Sequence, residues 1–215
     1  GFNAIHPGTA SSANVSGWGQ VAPKSYISNL TTDGEYFYVL AYNGTGTKQE
    51  DGKWYNKFNI VKLNENGKKL GYSNEFNGPV VSGSDSVLQY GGTEYNTPLW
   101  IKDGYAYSYN GDGQTIRVAV ASLTSDNVAY EVVDNIKFGD NEASAVSAVV
   151  YNATQKKYAV IANKTLYIYN ETDLTTATAS AAQTSTRLRM GGDENTLALI
   201  ISTDTVYAPT VYLYD

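Results

Sequence analysis

From residue 25 onward, apolar and aromatic residues fall in short runs, many alternating with period two, and clusters of Gly, Asn and Asp interrupt them every few residues. Period-two alternation places successive side chains on opposite faces of an extended chain, so the pattern predicts β-strands joined by tight turns. No window sustains the i, i+3, i+4, i+7 spacing of an amphipathic helix, and no helix longer than two turns is expected. The stretch TTATASAAQTST (175–186) is rich in Thr and Ser and poor in large apolar residues, and reads as a loop.

The segment DGYAYSYN (103–110) puts Tyr105, Tyr107 and Tyr109 on one face of a strand and Ala106 and Ser108 on the other. It runs into NGDG and then QTIRVAVASL, a strong hairpin signal, because Asn and Gly tolerate the positive φ angles of tight turns. A loop of two or four residues sets Tyr107 opposite Ile116 and Tyr105 opposite Val118, which commits the tyrosine ladder to the core rather than to a binding surface. A three-residue loop with a bulge would shift that pairing.

The chain also repeats itself. FNIVKLNENGKKL, IRVAVASLTSDN, TLYIYNETDL and TVYLYD share alternating apolar residues that lead toward a polar turn. The matching positions are Leu63, Leu123, Tyr169 and Tyr214. LQYGGTEYNTPL from residue 88 and LRMGGDENTLAL from residue 188 form a second match, two periods apart. Short strands recurring every 40–50 residues or so are the signature of propeller blades, each a small sheet that buries its faces only against its neighbours. On these motifs the sequence resembles secreted bacterial β-propeller repeat proteins. The resemblance implies an all-β chain, a β-propeller-like array of about four small antiparallel sheets, in an extracellular or cell-envelope setting (periplasm or outer surface). A β-sandwich is the alternative architecture, since its strands need no such period. Residues 1–24 read as an N-terminal extension, partly ordered or supplying a closing strand, and 25–215 as the repeat domain. Because Asp215 falls where the repeat would enter its turn, the fourth unit is either closed by an N-terminal strand or belongs to a longer propeller.

Composition narrows the partners. The 215 residues carry a formal net charge of -6 and only three arginines (Arg117, Arg187, Arg189), which argues against a nucleic-acid partner. Cysteine is absent, which removes disulfides, thiolate nucleophiles and Cys-based metal centres together. No segment has the run of about 18 apolar residues needed to span a bilayer, so any membrane attachment, such as a lipid anchor, would lie outside the chain shown.

Candidate chemistry is sparse. The sole histidine, His6, sits in a Gly/Ser/Ala-rich stretch, so neither a Ser/His/Asp triad nor a His-rich zinc site is expected, and no phosphate-binding glycine motif is present. Paired carboxylates remain available for glycoside hydrolysis, but Asp33, Asp103 and Asp193 each adjoin a turn, where Asp commonly bonds its own backbone. The acidic turns NGDG (110–113), GDNE (139–142) and GGDEN (191–195) offer oxygen ligands for calcium without matching a calcium-loop motif, and no other cofactor is expected. TKQEDGKWYNK (47–57) reads as a polar insertion in the first hairpin, a loop that presents Trp54 and Tyr55 for stacking on a sugar or packing on a protein, or folds them back as a lid. Trp18 in SGWGQ is a similar candidate, whereas Trp100 in PLWIK belongs to the core. N-x-[ST] sequons begin at Asn14, Asn29, Asn43, Asn152, Asn163 and Asn170, and bear glycans only if the source is eukaryotic. The expected role is a non-catalytic binding or scaffold module for a carbohydrate or protein ligand. A carboxylate-dependent glycoside hydrolase and a structural or adhesive surface protein are the alternatives.

Overall fold

Runs such as FYVLAY and KYAVIA lack a polar face because the strands they form are covered on both sides, with four and five consecutive buried residues respectively. The computed structural model describes residues 26–42, 47–48, 50, 52, 54–80, 97–182, 187–192, 197–202 and 210–214. Within them the strands form four antiparallel sheets in chain order. Sheet 1 contains β1 (Tyr26–Thr32), β2 (Phe37–Tyr42), β3 (Thr47–Lys48), β4 (Trp54–Leu63), β5 (Lys69–Tyr72) and β6 (Phe76–Val80), with β4 pairing β2, β3, β5 and β6. Sheet 2 contains β7 (Trp100–Lys102), β8 (Tyr105–Tyr109), β9 (Thr115–Ala119) and β10 (Glu131–Val132), each paired with the next. Sheet 3 repeats that meander with β11 (Val146–Asn152), β12 (Lys157–Ala162), β13 (Thr165–Asn170) and β14 (Ala179–Ala182), and sheet 4 with β15 (Arg187–Gly192), β16 (Leu197–Ser202) and β17 (Thr210–Tyr214). The only helical elements among the described residues are single 3-10 turns at Val120–Ser122 and Ala143–Ala145.

The first strands of the sheets are neighbours: β1 lies beside β7, β7 beside β11, and β11 beside β15. Sheets that meander outward from a shared row of first strands, each packed on the next, make a propeller-like array rather than a two-layer sandwich. The repeat positions fit this frame. Leu63 ends β4, Tyr169 lies in β13, Tyr214 ends β17, and Leu123 follows β9, so each of the four falls in or just after the third strand along its own sheet.

Sheet 2 is the filling between two cores. On one side Ala106, Ile116, Val118 and Leu123 meet Tyr38, Leu40, Phe58, Ile60 and Phe76 of sheet 1. On the other, Trp100, Tyr107 and Tyr109 meet Val149, Tyr158, Val160 and Tyr169 of sheet 3, with Phe138 between them. Sheets 1 and 2 are also joined by main chain: Tyr72 N donates to Ser125 O, Val128 N to Tyr72 O and Asn74 N to Val128 O (2.7–3.1 Å).

The hairpin register departs from expectation. The loop has three residues, Gly111 to Gly113, with Gly113 at φ 77°, so Tyr107 faces Arg117, Ala106 faces Val118 and Tyr105 faces Ala119. A one-residue slip sends the side chains of β9 to the opposite face. Tyr107 and Tyr109 are buried as expected, at 8% and 4% exposure, but Ile116 and Val118 serve the other core. The stretch read as a loop at 175–186 contains β14, an outer strand whose four residues are all exposed. With no face to bury, it had no alternation to display. Residues 1–25, including the N-terminal extension, lie outside the described residues, as does most of LQYGGTEYNTPL.

Candidate functional site

The seam between sheets 2 and 3 is built from rings. Trp100, fully buried on β7, stacks on Tyr107 (5.5 Å between centroids, 10° between planes) and takes the edge of Phe138 at 6.1 Å. Phe138 in turn contacts Tyr158 at 5.2 Å and Tyr169 at 5.7 Å. Tyrosine brings a hydroxyl with its apolar area, and that hydroxyl needs a partner or an exit. Because the strands alternate in direction, the seam has two ends, one at the β8–β9 turn and one at the β7–β8 turn, and the polar groups collect there.

At the first end lies a cavity of about 350 Å³, lined by the β8–β9 turn, by Tyr109, and by residues 135–137 and 141–144 of the connector to β11. Its walls are fixed by their own hydrogen bonds. Asn110 Oδ1 accepts from Asp112 N (3.1 Å) and Gln114 N (3.0 Å), which sets the turn. Thr115, fully buried, accepts from Val133 N at its carbonyl and from Ile136 N at its hydroxyl, while its own N–H donates to Asn135 Oδ1 (3.1 Å). Tyr109 donates its hydroxyl to Ile136 O, and burial holds its pKa far above the usual tyrosine value. Asn141 Nδ2 donates to Phe138 O (3.0 Å) and toward Tyr169 Oη (3.4 Å). At Gly139, φ 59° and the Tyr169 hydroxyl 2.9 Å from where a Cβ would stand both favour glycine. The charged residues lining the cavity are Asp112, Lys137 and Glu142, with Lys137 Nζ 3.8 Å from Glu142 Oε1.

At the opposite end the charges pair off. Lys102 Nζ reaches Asp103 Oδ2 at 2.7 Å and Glu171 Oε1 at 3.1 Å, and the Tyr151 hydroxyl donates to Glu171 Oε2 at 2.8 Å. Burial alone would pull Lys102 down, but the hydrogen bonds to Asp103 and Glu171 hold its pKa well above the ordinary lysine value. The Tyr151 and Lys102 hydrogen bonds lower the pKa of Glu171, and burial together with Glu171 pushes Tyr151 up to about 12. Beside this cluster Arg117 lies 4.0 Å over the Tyr105 ring and pairs with Glu131 at 2.9 Å. Lys102 on sheet 2 is joined to Glu171 and, through it, to Tyr151 of sheet 3, which makes this end a staple between sheets.

The residues singled out from sequence are dispersed. Trp54 and Tyr55 open β4 and pair with Lys48 and Thr47 of β3, so they belong to an extension of the first hairpin and not to a loop. Tyr55 is buried, at 8% exposure, and is no exposed platform. Its ring lies against the Gly111 turn, with Cδ1 3.2 Å from where a Cβ on Gly111 would stand. Trp18, His6 and Asp193 lie outside the described residues. Asp33 closes its own turn, accepting from Glu35 N (3.0 Å) and Tyr36 N (2.8 Å), and takes the Tyr38 hydroxyl on its other oxygen. Asp103 sits at φ 50° in a two-residue turn beside Gly104 and binds Lys102. Of the acidic turns, NGDG and GDNE both border the cavity, and among the described residues no three His, Cys, Asp or Glu converge on a point. No helix among the described residues is long and apolar enough to cross a membrane. The cavity itself escaped the sequence reading. Its components are Asn, Asp, Gly and Ser in turns, and what distinguishes them is only that two turns 25–30 residues apart meet.

No protein-family model matches the chain, and no curated protein is similar to it in sequence. Among solved structures it is similar to a chain of the mitotic checkpoint complex at 13% identity and TM-score 0.38, covering 81% of this chain and 44% of that one. It is similar to the computationally designed Ika4 protein at 12% identity and TM-score 0.37, covering 88% and 90%, and to BamB from Moraxella catarrhalis at 14% identity and TM-score 0.32, covering 80% and 39%. The chain thus spans less than half the length of the first and third. Superpositions this loose leave the propeller-like arrangement to rest on the sheets, their order and the cores between them.

Proposed function

We propose that this chain is a non-catalytic binding and scaffold module that contacts its ligand, a carbohydrate or a protein, at the β8–β9 end of the seam between sheets 2 and 3. The observation that carries the proposal is the cavity there, whose backbone walls are held by hydrogen bonds within the β8–β9 turn and between β9 and the connector to β11, so that little backbone ordering is left for a ligand to impose. The carboxylates support binding over hydrolysis. A glycosidase needs one acid kept protonated in an apolar setting, whereas the Glu142 side chain is 81% exposed beside Lys137 and Glu171 is held ionised by Lys102 and Tyr151. An extracellular or cell-envelope setting is part of the same proposal and rests on the low-charge, Asn/Thr/Ser/Gly/Tyr-rich composition.

The test is to present the labelled chain to arrays of glycans and of peptides while following release of reducing sugar. Retention on one array without release is the expected result. Sugar release, or retention on neither array, overturns the proposal.

A further inference from the structure

We infer that the cavity at the β8–β9 end holds one neutral sugar residue, a deepening that rests on the reading of the chain as a binding module. Size sets the first limit. About 350 Å³ lies at the low end of small-molecule sites, which run from roughly 300 to 1,000 Å³. That admits a ring with its substituents and excludes a folded peptide segment.

Charge sets the second. The lining carries Asp112 and Glu142 against Lys137 alone, and Lys137 already faces Glu142 at 3.8 Å, so a phosphate or sulfate would meet net negative charge in a protein that is itself at -6. A metal ion finds no group of three ligating side chains among the described residues. An apolar guest would strip water from amides and hydroxyls without replacing it.

Hydrogen-bond inventory sets the third. Asn135 uses its Oδ1 on Thr115 N, which leaves its Nδ2 as donor, and Asn141 uses its Nδ2 on Phe138 O, which leaves its Oδ1 as acceptor. Among the described residues the Ser144 hydroxyl and the Asp112 carboxylate have no partner in the protein, and both line the same space. Asn135 and Asn141 are each fixed in direction by the bond at the far side of the amide, Ser144 can turn to donate or accept and Asp112 accepts, so the lining offers both donors and acceptors to sugar hydroxyls, each of which donates and accepts. Ile136 and Ala143, both half-buried at the lining, supply the apolar surface against which the C–H face of a sugar ring can rest, with the edge of buried Tyr109 behind them.

The experiment is a titration of the isotope-labelled full chain with the methyl glycosides of glucose, galactose, mannose and N-acetylglucosamine, read by amide chemical shifts, with inorganic phosphate alongside. The expected result is millimolar binding by at least one sugar, with shifts confined to residues 111–113, 135–137 and 141–144. Ser144→Trp, which fills the cavity from an exposed position, and Asp112→Ala should each weaken that binding about tenfold or more and leave the melting temperature unchanged. Shifts elsewhere, equal shifts with phosphate, or undiminished binding by both variants overturn the assignment. If no sugar shifts the spectrum but a peptide retained on the array shifts these same residues, the sugar assignment falls and the binding reading stands. If neither does, both fall.

Discussion

The two faces of sheet 2 solve the same packing problem with different materials. Toward sheet 1 the seam is largely aliphatic and phenylalanine-rich: Leu40, Ile60, Ile116, Val118 and Leu123 pack with Phe58, Phe76 and one fully buried tyrosine, Tyr38, whose hydroxyl leaves the core to reach Asp33. Toward sheet 3 it is built on Trp100, Tyr107, Tyr109, Phe138, Tyr158 and Tyr169. Branched aliphatics fill space evenly and carry no polar atoms. Large rings bury more area apiece, and the tyrosines among them end in hydroxyls that must reach an edge. Both the cavity and the Lys102 staple therefore lie along the aromatic seam.

The comparison breaks most visibly at its centre. Trp100→Ala should lower unfolding free energy by about 3–5 kcal/mol, measured by chemical denaturation. A cost below about 1 kcal/mol would mean that the rings repack and that the aromatic seam is not a fixed wall. On the aliphatic side Gly71 marks a close approach of two backbones, where a Cβ would stand 2.4 Å from Ser125 O and 2.7 Å from Leu123 C. Both neighbours are backbone, so Gly71→Ala should cost about 1–3 kcal/mol by prising sheets 1 and 2 apart. Ile116→Val removes one methyl from the same seam and should cost about 0.5–1.5 kcal/mol. If it cost as much as Trp100→Ala, the difference between the seams would vanish.

The staple sharpens the comparison through pH. Glu171 titrates below the ordinary 4.5 in the fold, so its contribution is present above 4.5 and is lost as pH falls through the lowered folded value. Tyr151 runs the other way: stability should decline as pH rises from 10, where the unfolded chain ionises, to about 12. Melting curves of Glu171→Gln should flatten the acid limb, while Ile116→Val leaves it unchanged. The smallest effect belongs to the Lys69–Asp126 pair at the aliphatic seam. At 2.8 Å but with side chains 34% and 44% exposed, it should cost less than about 1 kcal/mol on Lys69→Ala.

How much of this could be read from sequence follows the same physics. Strands with one or two buried faces declared themselves by alternation or by unbroken apolar runs, and the recurrence at Leu63, Leu123, Tyr169 and Tyr214 located a sheet each. The burial of Tyr107 and Tyr109 was legible, and Tyr105, expected with them, is only partly buried. The cross-strand partners of this ladder were not legible, because a single extra loop residue, accommodated by Gly113 at φ 77°, decides the register and leaves no trace in hydrophobicity. The strand Ala179–Ala182 was invisible for the opposite reason, since an outer strand with every residue exposed shows no hydrophobic pattern, and its backbone pairs with β13. Trp54 and Tyr55 were misplaced because the polar residues before them, which look like a loop, turn back into a two-residue strand. The site was the least legible part, since it depends on Asn135 and Asn141 meeting the 111–113 turn, a fact of packing between sheets.

One consequence of the main-chain bonds between β5 and the strand-less stretch after β9 concerns variation over generations. Tyr72, Asn74 and Val128 are joined to each other and to Ser125 through N–H and C=O groups, so those bonds are indifferent to which side chains stand at Thr124 and Ser125, both exposed, while Asp126 adds its exposed pair with Lys69. What it does demand is an N–H at positions 72, 74 and 128, which forbids proline there, and a residue tolerant of φ 59° at Asn127. The segment can accordingly change its chemistry by point mutation while its path stays constant, a stretch of surface on which new recognition can be tried without loosening the sheet beneath it.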